Sequence, residues 1–370
     1  MKVHDWLRLA VLLLCSGLCR GNWLLVSSPE DKAVHYARLL SAEEQSRGDK
    51  LAVSPLTESG DLQHPLGLAV DSVRKVLYVA DRGTRSVIAF RLIEEKGSGK
   101  VGRLAALDPQ VVVSGLEVHW VAVDAVGTLF CSDAEGNGIY SLPASAMVKR
   151  LNGREAPTPV ELYSNARGAP VRKPQGLAAD GLSVFWANGE HGDDDDGTAN
   201  GNMVEGLEVP ARASRPKATM TLSADAEPAY GVCVSGTHVF YTVKSGRVYS
   251  VKRPTAVQSR GGAGTFSAVE AAAVGAPTII ADRLQRPRGC VFDGDGTVFV
   301  ADTRAGGVYS FSGGSAQVRA QRLHLAANVP GAYGLAMLTS FTGAASAPAR
   351  GVTTLLGLLL ATALLRAGAP

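Results

Sequence analysis

The residues best suited to ligand chemistry in this 370-residue chain are spread along it at nearly even intervals. His119, Gln175, Tyr230, Arg288 and Tyr333, with the apolar Leu66 as first member, each stand directly before a glycine or, once, before Trp120. Successive members lie 53, 56, 55, 58 and 45 residues apart. Imidazole, amide, phenol and guanidinium groups hydrogen-bond and stack, so brought together they would make a recognition surface. The competing reading is that these are exposed strand entries that tolerate polar side chains. A second set, Asp81, Asp133, Asn188 and Asp302, closes apolar runs, where short Asx side chains bond the backbone of a following turn. A third candidate is the acidic run Asp193–Asp196 within Gly189–Asn202. Asp194, Asp196 and Gly197 partly echo a calcium loop, although Gly192 occupies the position of the first carboxylate, and Asp194, Asp195 and Asp196 are the candidate metal ligands. The simpler reading is a solvated acidic loop. Nucleophile-elbow, zincin and phosphate-loop motifs are absent, as is any Cys/His cluster with zinc spacing.

Regularly spaced residues need regularly spaced elements to carry them. Arg286–Phe311, RPRGCVFDGDGTVFVADTRAGGVYSF, reads as three short strands separated by Asp-Gly and Gly-Gly turns. Degraded copies occur at His64–Leu92, Glu117–Leu142, Lys173–Asn188 and Glu227–Val251, and Pro330–Leu338 carries only an entry strand. A fourth apolar run follows several copies, at Gln110–Val113, Val160–Tyr163, Ala218–Leu222 and Thr278–Ala281. Such a period, with four strands per unit, is the signature of propeller blades. Asn22–Leu40 aligns with the second and third strands of a copy and lacks a first; Gly334–Leu338 would supply it from the other end of the chain. The expected fold is therefore all-β, a six-bladed β-propeller closed by N- and C-terminal strands sharing one blade. Glu94–Gly102 and Arg253–Gly275 are long polar connections, the second with a candidate helix at Ser267–Ala273.

PRGCVFDGDGTVFVAD and HPLGLAVDSVRKVLYVAD resemble NHL repeats, and KPQGLAADGLSVFWAN resembles the YWTD repeats of lipoprotein receptors. Both resemblances imply a six-bladed propeller over roughly residues 22–342, and both leave function open, since such folds host enzymes, receptors and scaffolds. Calcium-dependent lactonases on this fold hold acidic and amide ligands in the channel, and amidating lyases hold several histidines there. Here only His119, with His64 nearby, answers the lyase pattern, and the lactonase ligands find no residue-by-residue match.

The composition, 46% hydrophobic and 19% charged, is that of a globular chain. The formal charge of +3 comes from the ends: without Lys2, Arg8, Arg20, Arg350, Arg366 and Asp5, 32 basic residues face 33 acidic ones, which gives no signal for nucleic acid. Met1–Gly21 has a basic start, an apolar core and small residues before Asn22, the pattern of a signal peptide; a short membrane anchor or buried strand is the alternative. Beyond it Cys131, Cys233 and Cys290 sit in strand runs and read as buried thiols, with one Cys233–Cys290 bridge left open. No N-glycosylation sequon occurs. Residues 343–370 run from a small-residue triplet through a spacer to the apolar Leu355–Leu365, the order of a GPI-addition signal, with a short membrane span or an amphipathic tail as alternatives. The expectation is a secreted or surface-tethered binding module, reaching the membrane through its tail. Its partner would be an extracellular protein or carbohydrate, with calcium the one candidate cofactor. The alternative is a divalent-metal hydrolase of the gluconolactonase type.

Overall fold

Six four-stranded antiparallel sheets succeed one another along the chain in the computed structural model. It describes residues 20–41, 44, 47, 49–95, 102–153, 158–189, 203–207, 219–223, 227–253, 276–314 and 318–341. Apart from the outer ends of its first and last strands, the propeller lies within a unit spanning Asn22–Thr339. Blade II comprises β4 (Pro65–Asp71), β5 (Val76–Asp81), β6 (Ser86–Glu95) and β7 (Arg103–Ser114). Blades III to VI begin with inner strands β8 (Val118–Val123), β12 (Pro174–Ala179), β16 (Ala229–Val234) and β20 (Pro287–Phe292), each followed outward by its next three strands. Blade I is the shared one: β24 (Leu335–Phe341) lies inside β1 (Arg20–Ser28), β2 (Ala33–Arg38) and β3 (Val53–Pro55). The ring thus closes as expected, and β3 adds an outer strand that the repeat alignment did not contain. A single α-helix among the described residues, α1 (Ala144–Leu151), was also not foreseen; it buries Met147 against blades II and III.

The local reasons recur from blade to blade. Second strands such as VLYVAD and SVFWAN are buried throughout, because both faces of a blade's sheet are covered by neighbouring blades. First hairpins turn on an Asx cap: Asp71 accepts the Val73 and Arg74 amides, Asp124 those of Val126 to Thr128, Asp180 those of Leu182 and Ser183, and Asp293 those of Asp295 and Thr297. The second Asx set has a comparable role on the other face. Asp81 accepts the amides of Gln63, His64 and Gly83, Asp302 those of Gln285, Arg286, Arg304 and Ala305, Asp133 that of Glu117, and Asn188 that of Arg172. These buried side chains pin each entry loop to its blade, the structural reading of the pattern.

Cys233 and Cys290 form a disulfide between the inner strands of blades V and VI, with Cα atoms 5.6 Å apart, and Cys131 remains a buried thiol. The expectation of three buried thiols therefore gives way to the bridge it had left open. Adjacent inner strands bring the two positions, one residue apart in the repeat, within disulfide reach. The acidic run Asp193–Asp196, with the candidate metal residues Asp194, Asp195 and Asp196, lies outside the described residues, as do Ser267–Ala273, the leader up to Cys19 and the tail from Thr342.

Candidate functional site

Each inner strand of blades II to VI enters its sheet through a break in register. Pairing jumps from Pro65 to Leu68, Val118 to Trp120, Pro174 to Leu177, Ala229 to Val232 and Pro287 to Cys290. The first residue skipped at each break is the candidate side chain, followed in four of the five by the skipped glycine, and such an irregularity re-aims the side chain from the sheet toward the channel. The glycine that follows is needed because the inner strands approach too closely for a side chain. A Cβ at Gly176 would lie 2.2 Å from the Tyr230 carbonyl oxygen, and one at Gly231 would lie 2.0 Å from that of Arg288.

Leu66, His119, Gln175, Tyr230, Arg288 and Tyr333, one from each blade, consequently line one cavity of about 1260 Å³ at the channel mouth. Trp120 closes it below. Where the other blades carry glycine, this indole lies across the channel: a Cβ at Gly67 would meet its ring carbons at 2.8 Å, and one at Gly289 would meet its Cη2 at 2.9 Å. Tyr333 packs on the same ring with centroids 6.0 Å apart, and Trp120 is only 4% exposed. The mouth is therefore a cup with a floor.

A relay of hydroxyls that the sequence reading missed fixes half of the rim. Ser27 accepts the Gly334 amide and donates to the Leu66 carbonyl at 2.5 Å. Ser132 accepts the Trp120 amide and donates to Gln175 at 2.9 Å. Thr242 accepts the Gly231 amide and donates to Arg288 at 2.6 Å. The equivalent residues of the alternate blades are Ala80, Ala187 and Ala301, so the signal was present as a hydroxyl–alanine alternation just before the second-strand Asx position.

The electrostatics of the cup are one-sided. Of its fifteen lining residues among those described, six are Lys or Arg, two are His and none is Asp or Glu. Arg82 is compensated from outside by Glu117, whose Oε1 accepts from Arg82 Nε at 2.8 Å. Burial alone would raise Glu117, but Arg82 and His119 together hold it below the usual carboxylate range. His119 donates from Nδ1 to Gln175 Oε1 at 2.8 Å, which ties blades III and IV across the rim. Burial, assisted by Arg82, pushes His64 below the ordinary histidine value, so it resists charging. Burial likewise raises Tyr333 and keeps the phenol protonated, against a smaller opposing pull from Arg288.

Arg288 is the centre of this arrangement. Its guanidinium carbon lies 3.7 Å over the Tyr230 ring and 5.6 Å from the Tyr333 ring, between the two flanking blades. The residue is 7% exposed, and its Nε has no hydrogen-bond partner among the described residues. As a set the lining does not suit a divalent cation: it offers imidazole and amide donors under six positive charges, and the nearby carboxylates are occupied by backbone amides. Among the described residues no three acidic, His or Cys side chains gather around a common point that could hold a metal.

No protein-family model matches the chain, and no curated protein matches it in sequence. Its likeness to solved structures is one of fold. A crystal structure of a nidogen/laminin complex aligns at 14% identity with a TM-score of 0.58, over 86% of this chain and 98% of that one. A gluconolactonase from Xanthomonas campestris aligns at 15% identity with a TM-score of 0.51, over 84% and 89%. A putative 6-phosphogluconolactonase from Bacteroides fragilis aligns at 12% identity with a TM-score of 0.50, over 86% and 98%. Six-bladed β-propellers of both binding and lactonase kinds are thus its structural neighbours.

Proposed function

We propose that this chain is a secreted, surface-tethered binding propeller whose channel mouth engages an extracellular protein. The observation that carries the reading is the convergence of one entry residue from every blade on a single floored cup. A cup rimmed by Tyr, Arg, His and Gln has the composition of a recognition site. A neighbour solved as a nidogen/laminin complex supports a protein as the partner. The basic lining favours binding over a metal-dependent hydrolysis, the alternative that the lactonases among its structural neighbours raise. The leader-like Met1–Gly21, the Cys233–Cys290 bridge and the apolar tail together support an oxidising, surface location. The repeats are nearest in kind to NHL and YWTD units.

The test is a screen of arrayed extracellular proteins with the full-length chain on cells, repeated with a His119→Ala/Gln175→Ala double variant and with Val126→Ser on an opposite-face hairpin. Partner binding lost only in the first variant supports the reading. Calcium-dependent turnover of a gluconolactone, abolished by the same double variant, would replace it with the hydrolase. Release from cells by a phosphatidylinositol-specific phospholipase tests the tether.

A further inference from the structure

The cup has a chemical preference that binding as such does not specify. A guanidinium removed from water is costly unless an anion compensates it. Stacking on Tyr230 and Tyr333 offsets part of that cost and leaves the in-plane N–H donors unused. Arg288 is 93% buried, lines the cavity and has an unpartnered Nε, while the described residues of the cavity wall supply no carboxylate. Structural buried arginines are paired by the protein itself, and this one is not. Its backbone carbonyl is held by Thr242 and its guanidinium carbon sits over the Tyr230 ring with the Tyr333 ring nearby, so the group is positioned before anything arrives.

We infer that Arg288 is a receptor for a carboxylate group, the anchoring point of whatever ligand enters the cup. Resting on the binding reading, this names the chemistry of that site. The guanidinium offers a planar fork of N–H donors that matches the two oxygens of a carboxylate. A planar carboxylate extends that fork in the guanidinium plane, between the tyrosine rings, whereas a tetrahedral sulfate or phosphate projects out of it. The remaining rim cations, Lys173, Lys244, Arg286 and Arg304, steer acidic ligands toward the mouth. The Trp120 floor means that the group enters as the tip of something, either a small free acid or an acidic side chain on a protein loop.

The experiment is calorimetric titration of the full chain with three probes: citrate, a hexaglutamate peptide, and a sulfated heparin hexasaccharide. Each is measured at two salt concentrations, with wild type, Arg288→Met, Arg288→Lys and Lys173→Met. We expect a saturable one-to-one site for a carboxylate probe, weakened at least tenfold by Arg288→Met and by Arg288→Lys. The second variant keeps the charge and loses the fork. Lys173→Met should weaken binding only about two- to threefold and reduce its salt dependence. Citrate binding without hexaglutamate binding identifies a small-acid site, and the converse identifies a protein loop. The inference is overturned if neither carboxylate probe binds, if Arg288→Lys binds as wild type does, or if only the heparin fragment binds through Arg288. Cooperative unfolding of both Arg288 variants confirms that a loss is local. A protein partner that still depends on His119 and Gln175 but ignores Arg288→Met would leave the binding reading intact while removing this one.

Discussion

Replacing Trp120 separates two ways of reasoning about this propeller. The repeat pattern has glycine at the equivalent position of the other five blades, so a consensus argument expects Trp120→Gly to stabilise the fold. Packing predicts the opposite. The side chain is 4% exposed and touches the inner strands of blades II and VI together with Tyr333. A buried Trp removes roughly 150–250 Å² from water, which at about 25 cal/mol per Å² is about 4–6 kcal/mol. The hole left behind opens onto the cup and fills with water, so we place the loss for Trp120→Ala at about 3–5 kcal/mol. Trp120→Gly should lose a further ~0.5–1 kcal/mol through backbone freedom in a strand. Urea denaturation followed by far-UV circular dichroism measures both, with Trp120→Phe as an intermediate. A midpoint unchanged or raised in Trp120→Gly, or a loss below about 1 kcal/mol in Trp120→Ala, would show that the indole does not fill the channel.

Four further outcomes follow from the same geometry. Thr242→Val keeps the volume but strands the Gly231 amide and the Arg288 carbonyl, and should cost about 1–3 kcal/mol by the same denaturation assay. Removing the Cys233–Cys290 bridge, which closes a 57-residue separation, should cost about 2–4 kcal/mol, read as a difference between reduced and oxidised protein that vanishes in the double serine variant. His64 and His238 have folded values below 6.5, chiefly through burial, so the unfolded chain binds more protons as pH falls. Stability should therefore be full above about pH 6.5 and decline as pH drops through their folded values; thermal melts of a His64→Asn/His238→Gln variant should show a flatter decline between pH 7 and 5. Deleting Asn22–Leu40 should unpair β24 and produce aggregates in light scattering, and a monomeric, cooperative truncation would contradict the shared blade.

The ring and its closure were legible because strands repeat locally: Gly-Asp turns, alternating runs and a Pro-x-Gly entry are each written within a dozen residues. The mouth residues were legible for the same reason, since they occupy one position of that repeat. What escaped were the relations between blades. Trp120 was visible as a departure from glycine, but its meaning depends on Gly67 and Gly289 vacating the axis that its ring fills. The hydroxyls of Ser27, Ser132 and Thr242 reach the neighbouring blade, so no single repeat reveals their task. Arg288 read as a channel-mouth binding candidate, but its burial was hidden, because it follows from tyrosines 58 residues before it and 45 after.

The blade built from both ends of the chain also sets the order of events in biosynthesis. Ser28 bonds Pro330 across 302 residues, and Gly334 bonds Ser27 across 307. Strands β1 to β3 emerge first yet cannot acquire their inner neighbour until nearly the whole propeller has been made. At about 5–20 residues per second that interval is roughly 15–60 s, long beside the microseconds in which a hairpin forms. Through that interval β1 presents an unpaired apolar edge, LLV, to any other nascent strand. Blades II to VI can condense one after another meanwhile, so the last event is the capture of a waiting sheet by a late strand. The folding of this protein is consequently gated by translation of its final blade, and a holding factor for the early sheet is the assistance its topology calls for.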